Sequence, residues 1–221
     1  MLNHSEDLGV EKGLQTNFIT MDIETIQKNN KLIPYLICAY NGTDYIISFN
    51  NDQKELFSNF IKGLLTFIKN NKTITIYAHN FSNFDGVFLL KHLLEYGKVE
   101  PLLFNGKLIT IKLTLNIEGY NGKFIIFKDS LLILPISLRN LALIYKVSEF
   151  KGIFPYKLSD INYNGIFPRF EYFKDITIDK YLNISQEFNN QIWNFKEEAI
   201  KYCELDCISL HQILTKFSVL I

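Results

Sequence analysis

Two carboxylates one residue apart, Asp22-Ile23-Glu24, follow the apolar run Phe18, Ile19, Met21. In a strand, residues i and i+2 point to the same face, so both acids would project side by side. Burying such a pair without a partner is costly, and a divalent cation ligated by oxygen is an obvious partner. A third acid, Asp85, stands directly after Phe84, where the polar stretch through Asn80 gives way to Val87, Phe88 and Leu90. A fourth, Asp206, lies four residues after Tyr202, which makes the two neighbours on one helix face that is otherwise apolar. Each group has a plain structural alternative. The D-x-E triplet could be a strand end with two solvated acids, and Asp85 could be a helix cap in a favourable dipole. Asn80 could be turn chemistry, and Tyr202 could hydrogen-bond Asp206 inside the core. Taken in order, a strand, a strand-to-helix junction and a last helix supply four carboxylates that would meet at one end of a sheet, the arrangement a two-metal site needs.

The elements that must position them are read from apolar periodicity. Residues 17–24 read as a buried strand, and 35–40 with 44–49 as a hairpin around Asn41-Gly42. Residues 52–70 carry Leu56, Phe57, Phe60, Ile61, Leu64, Leu65 and Ile68 at helical spacing. Residues 73–78 form another strand and 85–96 a second helix, while 108–117 and 123–129 flank a turn at Asn121-Gly122. Ser137 is placed to cap a short helix through Tyr145. Residues 148–192, with Gly152, Pro155, Gly165 and Pro168 among aromatic pieces, predict an ordered but irregular excursion. From about Asn194 to Phe217 the helical pattern returns and carries Tyr202 and Asp206. The order β-β-β-α-β-α, then further strands and a closing helix, predicts an α/β fold: a mixed β-sheet flanked by helices.

The chain has 221 residues, 48% of them hydrophobic, which suits one domain with a substantial core. Lys+Arg and Asp+Glu both total 23, so the formal net charge is zero. That argues against a protein that coats duplex DNA through phosphate contacts, and not against an enzyme that holds a few nucleotides in a groove. Residues 139–157 hold Arg139, Lys146, Lys151 and Lys157 against Glu149 alone, either a local steering field for a single strand or a solvated face. The cysteines Cys38, Cys203 and Cys207 give no disulfide framework and are expected to be free thiols in a reducing compartment. No stretch is long and apolar enough to span a bilayer, and the first residues lack the character of a signal or transit peptide. The abundance of Asn, Ile, Lys, Phe and Tyr, residues with AT-rich codons, points to an organelle, a linear plasmid or a virus, with the mitochondrion as the expected location.

At these residues the sequence resembles the 3′-5′ exonuclease domain of family B DNA polymerases, within the RNase H-like superfold. DIET (22–25), HNFSNFDG (79–86) and YCELD (202–206) resemble its three exonuclease motifs. DSLLILP (129–135) and KGIFPY (151–156) resemble two further motifs of the protein-primed subgroup found in phages and linear mitochondrial plasmids. The resemblance runs from about residue 17 to 215. It implies hydrolysis of 3′-terminal nucleotides of single-stranded DNA with two divalent ions, Mg²⁺ or Mn²⁺, held by Asp22, Glu24, Asp85 and Asp206. It further implies that Tyr202 orients the attacking water and Lys151 stabilises the reacting phosphate. Asn80, Phe84, Ser130 and Leu131, with Thr25 and His79, would hold the primer terminus.

The motifs of a polymerase palm, of the Y-x-D-T-D-S and S-L-Y-P kinds, do not occur in the chain. The expectation is therefore an extension over residues 1–16 and an exonuclease domain over 17–221, with palm, fingers and thumb absent. A gene fragment, an excised domain and a split-gene product all fit, and a separate polymerase chain is a candidate partner. Two other functions compete: a stand-alone RNA-trimming exonuclease, and a decayed or split fragment that binds DNA or a partner without catalysis. Tyr202 stands where many RNA-trimming relatives have histidine, and the metal- and water-binding residue types are all intact.

Overall fold

A computed structural model of the protein describes residues 18–147, 152–174, 176–188 and 191–220. The expected extension over residues 1–16 and the candidate Lys151 lie outside the described residues. Strands β1 (Phe18–Lys28), β2 (Lys31–Tyr40) and β3 (Tyr45–Phe49) form an antiparallel meander. Helix α1 (Gln53–Ile68) crosses over to β4 (Thr73–Ala78), which runs parallel to β1. Helix α2 (Asp85–Leu93) leads into β5 (Gly97–Phe104), β6 (Lys107–Leu115) and β7 (Phe124–Asp129). β7 runs antiparallel to β6 and parallel to β4, so the seven strands lie in the order β3-β2-β1-β4-β7-β6-β5. Helices α3 (Leu138–Ile144), α4 (Ile178–Glu187) and α5 (Phe195–Val219) follow, with two-residue strands β8 (Asn164–Gly165) and β9 (Trp193–Asn194) paired beside α5. This is the expected α/β class, a mixed sheet flanked by helices.

Period-two alternation in β1 decides what faces where. Ile19, Met21 and Ile23 are buried in the main core with Leu56, Phe57, Phe60 and Leu64 of α1 and Leu89 and Leu93 of α2. Thr20, Asp22 and Glu24 therefore face the other layer, where α5 packs over β1 and β2. A second core there joins Tyr35, Leu36 and Cys38 of β2 to Phe195, Ala199, Cys203 and Cys207 of α5 and to Phe154, Leu158 and Ile161. All three cysteines are buried and free. Asp52 caps α1 by accepting from the Glu55 N–H, Ser137 caps α3 through the Asn140 N–H, and Asn194 caps α5 through the Glu197 N–H.

Several boundaries differ from the periodicity reading. β1 runs on to Lys28 and turns through Asn29 and Asn30, whose φ values of 50° and 57° make a two-residue hairpin turn of the kind asparagine tolerates. β5 is a strand that the alternation did not announce, because it is an edge strand, exposed along most of its length and interrupted by Pro101. α4 lies inside the expected irregular excursion; none of its residues is buried, so no apolar stripe marked it. α2 stops at Leu93, ahead of Gly97, whose φ of 156° lies outside the range L-residues favour. Among the described residues, no helix is long and apolar enough to cross a membrane.

Candidate active site

The three parallel strands β1, β4 and β7 deliver their carboxyl ends to one edge of the sheet, the place where α/β folds collect ligand-binding groups. β1 brings Asp22 and Glu24, β4 ends at Ala78 before His79 and Asn80, and β7 ends on Asp129 before Ser130 and Leu131. The donor atoms of Asp22, Glu24 and Cys203 all lie within 4.8 Å of one another. Directly after Glu24 the β1–β2 register slips, so that Leu36 faces Glu24 while Pro34 faces Thr25. Such a bulge bends a strand and re-aims the residues beyond it, and here it separates Thr25 from the carboxylate pair.

Asp85 enters from the far side. β4 pairs with β1 only along Phe18–Thr20, and beyond that the two strands part. The Ile23 N–H on the released edge donates to Asp85 Oδ1 at 3.1 Å. Asp85 is the first residue of α2 and only 1% exposed. Burial, then the nearby Asp22 charge, push its carboxyl well above the usual carboxylate range, against the opposing N–H groups of Asp85 itself and Ile23. The following residue must be small: a Cβ on Gly86 would lie 2.7 Å from Leu108 Cδ2 and 2.9 Å from the Phe81 ring.

Tyr202 and Asp206 are both buried on α5, Tyr202 against the Phe154 and Tyr156 rings. The Thr20 hydroxyl donates to the Cys207 carbonyl at 2.8 Å and so pins this stretch of helix to the strand. The Cys203 thiol donates to the Asp22 main-chain carbonyl at 3.6 Å and lies 3.8 Å from Asp22 Oδ2. The Cys203 thiol feels the charges of both Asp22 and Asp206. The Tyr202 hydroxyl hydrogen-bonds that of Tyr156, a residue in KGIFPY that the sequence reading passed over in favour of Lys151. Tyr35, opposite on β2, is also near: burial raises its hydroxyl pKa far above the ordinary value, with Glu24 adding to the effect. Neither tyrosine stood out in the sequence, because tyrosine among aromatic and apolar residues reads as core.

The expected DNA-holding residues form a second group. Asn80 adopts a left-handed backbone, φ 70°, and its side-chain carbonyl accepts from Asn83 Nδ2 at 2.8 Å. Phe84 is half-buried and meets Phe88 edge-to-face with ring centroids 5.3 Å apart. Leu131 is half-buried, and Ser130 is fully buried with its hydroxyl 3.2 Å from the Ala78 carbonyl. His79 Nε2 donates to the Ile136 carbonyl at 2.9 Å while Nδ1 lies 3.0 Å from Ser130 Oγ. Both its ring nitrogens are thus engaged by the protein.

Asp22 and Glu24 offer carboxylate oxygens suited to a divalent cation, and the third group close to both is the Cys203 thiol. A positive ion beside Asp22 and Glu24 would oppose the burial and the Asp22 charge that raise the Asp85 pKa.

Fold and site together define a class: an RNase H-like α/β domain with a buried carboxylate centre at the ends of its parallel strands. The sequence profile of type B DNA polymerases of the organellar and viral kind matches residues 65–221, and the chain belongs to that family. A probable DNA polymerase of Ascobolus immersus is 37% identical over 215 residues, covering 91% of this chain and 18% of its own length. One from Neurospora intermedia is 37% identical over 202 residues, covering 84% and 20%. The chain thus spans about a fifth of the length of these relatives. Among solved structures, Phi29 DNA polymerase complexed with single-stranded DNA superposes with a TM-score of 0.55 at 17% identity, over 90% of this chain and 30% of that one. Its complex with primer-template DNA gives 0.53 at 17% identity, over 92% and 30%. At such identities the likeness is one of fold.

Proposed function

We propose that this chain is a 3′→5′ exonuclease domain that trims single-stranded DNA ends in the service of a protein-primed type B DNA polymerase. The observation that carries the reading is the buried Asp85 carboxyl, held by the main-chain N–H of Ile23, which lies in sequence between the half-buried Asp22 and the buried Glu24, with the Asp22 charge acting on it. A fold keeps such a buried acid when a cation is to be bound there.

Asp22, Glu24, Asp85 and Asp206 would hold two divalent ions, Mg²⁺ or Mn²⁺. When bound, such ions activate the attacking water and neutralise charge at the leaving 3′ oxygen. The Tyr202 hydroxyl orients the water, and Tyr156 fixes the Tyr202 hydroxyl from the opposite side. Phe84, half-exposed on the site's outer wall, offers a face on which a frayed terminal base can stack without regard to sequence. Asn80 and Leu131 line the approach with Thr25, while the fully buried Ser130 and His79 support them from within, His79 meeting Ser130 and the Ile136 carbonyl. Lys151 supplies positive charge to the phosphate. The substrate assignment is supported by the single-stranded DNA bound to Phi29 polymerase, and the AT-rich coding signature supports a mitochondrial or plasmid setting.

The test is digestion of 3′-labelled and 5′-labelled single-stranded DNA oligonucleotides, and of a matched RNA, with Mg²⁺, with Mn²⁺ and with chelator. Metal-dependent shortening of DNA from the 3′ end is expected. Folded protein that leaves DNA intact in both metals, or that prefers RNA, would overturn the reading.

A further inference from the structure

Asp129 takes no part in the chemistry above, yet it is 4% exposed and its carboxylate is fully used. Oδ1 accepts from the Asn80 N–H at 3.1 Å and from the Leu131 N–H at 2.8 Å. Oδ2 accepts from the Ser82 N–H at 2.8 Å. A carboxylate at the end of a strand that did no more than cap the following turn would need only Leu131. The two bonds to Asn80 and Ser82 reach across to a loop 49 and 47 residues earlier in the chain.

We infer that Asp129 is a positioning residue that locks the two substrate-holding loops to one another as a single unit. The inference rests on the function proposed above. Asn80 and Leu131, assigned there to the primer end from opposite loops, have their main-chain N–H groups fixed to the same oxygen atom. The Asn80 and Ser82 bonds also hold the left-handed turn that swings the chain out of β4 and towards Asp85. Hydrogen bonds to a charged acceptor are about twice as strong as neutral ones, so one carboxylate can fix the distance between loops beyond the last β4–β7 ladder pair, Ala78 with Asp129. The His79–Ser130 contact and the Ser130–Ala78 contact lie alongside and brace the same junction.

The isosteric change Asp129→Asn removes the charge and turns one acceptor into a donor facing main-chain N–H groups. Loops that grip the substrate equally before and during reaction alter KM more than kcat. For Asp129→Asn we expect KM for single-stranded DNA to rise about tenfold while kcat changes less than about threefold. A second readout does not depend on activity. Amide hydrogen exchange at Asn80, Ser82 and Leu131 should accelerate together, with the β1 and α1 amides unchanged.

Asp129→Glu, which keeps the charge, should recover part of the KM effect; a purely structural cap would show no such charge dependence. A wild-type chain active on DNA whose Asp129→Asn variant keeps KM would overturn the inference. So would exchange that accelerates in one loop only. If the wild-type chain cleaves no DNA, the proposed function falls, and the exchange measurement decides by itself whether Asp129 couples the loops.

Discussion

The two sides of the site are built by different means. On one side Asp22, Glu24, Tyr202 and Asp206 belong to a strand and a helix, held by ladder pairing, helix bonds and the Thr20–Cys207 contact. On the other, residues 79–84 and 130–136 are largely irregular and take their shape from side chains bonding main chain, with Asp129 at the centre. Charges that must oppose one another within a few ångströms sit where the backbone is stiff. Groups that must receive a flexible nucleic-acid end sit on loops. Asp85 straddles the two: it begins a helix, yet it is fixed by a bond to the strand side.

Four changes bear on that division, from the largest expected effect to the smallest. Asp22→Ala, on the stiff side, should lower hydrolysis by about 10³-fold or more in a gel assay. Its thermal midpoint should be unchanged or higher, because the Asp22 charge is one source of the strain on Asp85. Wild-type turnover in that variant would remove Asp22 from the centre. Gly86→Ala tests the straddling residue. The added Cβ would press on Phe81 and Leu108 and shift the start of α2. Urea unfolding should show a loss of about 1–3 kcal/mol, with activity falling as Asp85 moves.

The third change is in pH. Asp85 has a raised folded-state pKa, so it binds a proton more tightly folded than unfolded. Without metal, its contribution to stability is complete below the ordinary carboxylate range and is lost as pH rises through the elevated value. The slope is at most about 1.4 kcal/mol per pH unit. Asp85→Asn, which still offers an acceptor to Ile23, should flatten this dependence, and divalent ions should flatten it in the wild type. Equal slopes in both proteins would place the burden elsewhere. The smallest effect is expected for Tyr156→Phe, which loses only the hydroxyl that meets Tyr202. A fall of about fivefold in kcat, with KM unchanged, matches one neutral hydrogen bond.

The stiff side was legible in the sequence because its rules are local. Asp22 and Glu24 share a face by strand period, and Tyr202 and Asp206 by helix period. The structure keeps both patterns. The capping roles of Ser137 and the Asn194 start of α5 follow the same short-range logic. The loop side was legible only as motifs. That Asp129 reaches Asn80 and Ser82 depends on β4 and β7 being parallel neighbours, a fact of topology that no local pattern contains. Tyr156 meets Tyr202 because the chain beyond Gly152 folds back over α5, which composition marked only as irregular. α4 and β5 escaped notice for the opposite reason: an exposed element has no apolar face to betray it.

The parting of β1 from β4 after Thr20 has a consequence for how such a centre can arise or vanish. The site occupies an unzipped seam in an otherwise continuous sheet. Continued in register, the parallel pairing would set Asn80 against Ile23, the residue whose N–H now meets Asp85. The ladder has already ended at Thr20 and Tyr77, and the left-handed turn at Asn80 then carries the chain away from the seam, leaving the Ile23 N–H to a carboxylate instead of a strand. A β-branched residue at position 80, which resists that conformation, would disturb the turn that leads to Asp85 and silence the centre while leaving its four acids in place.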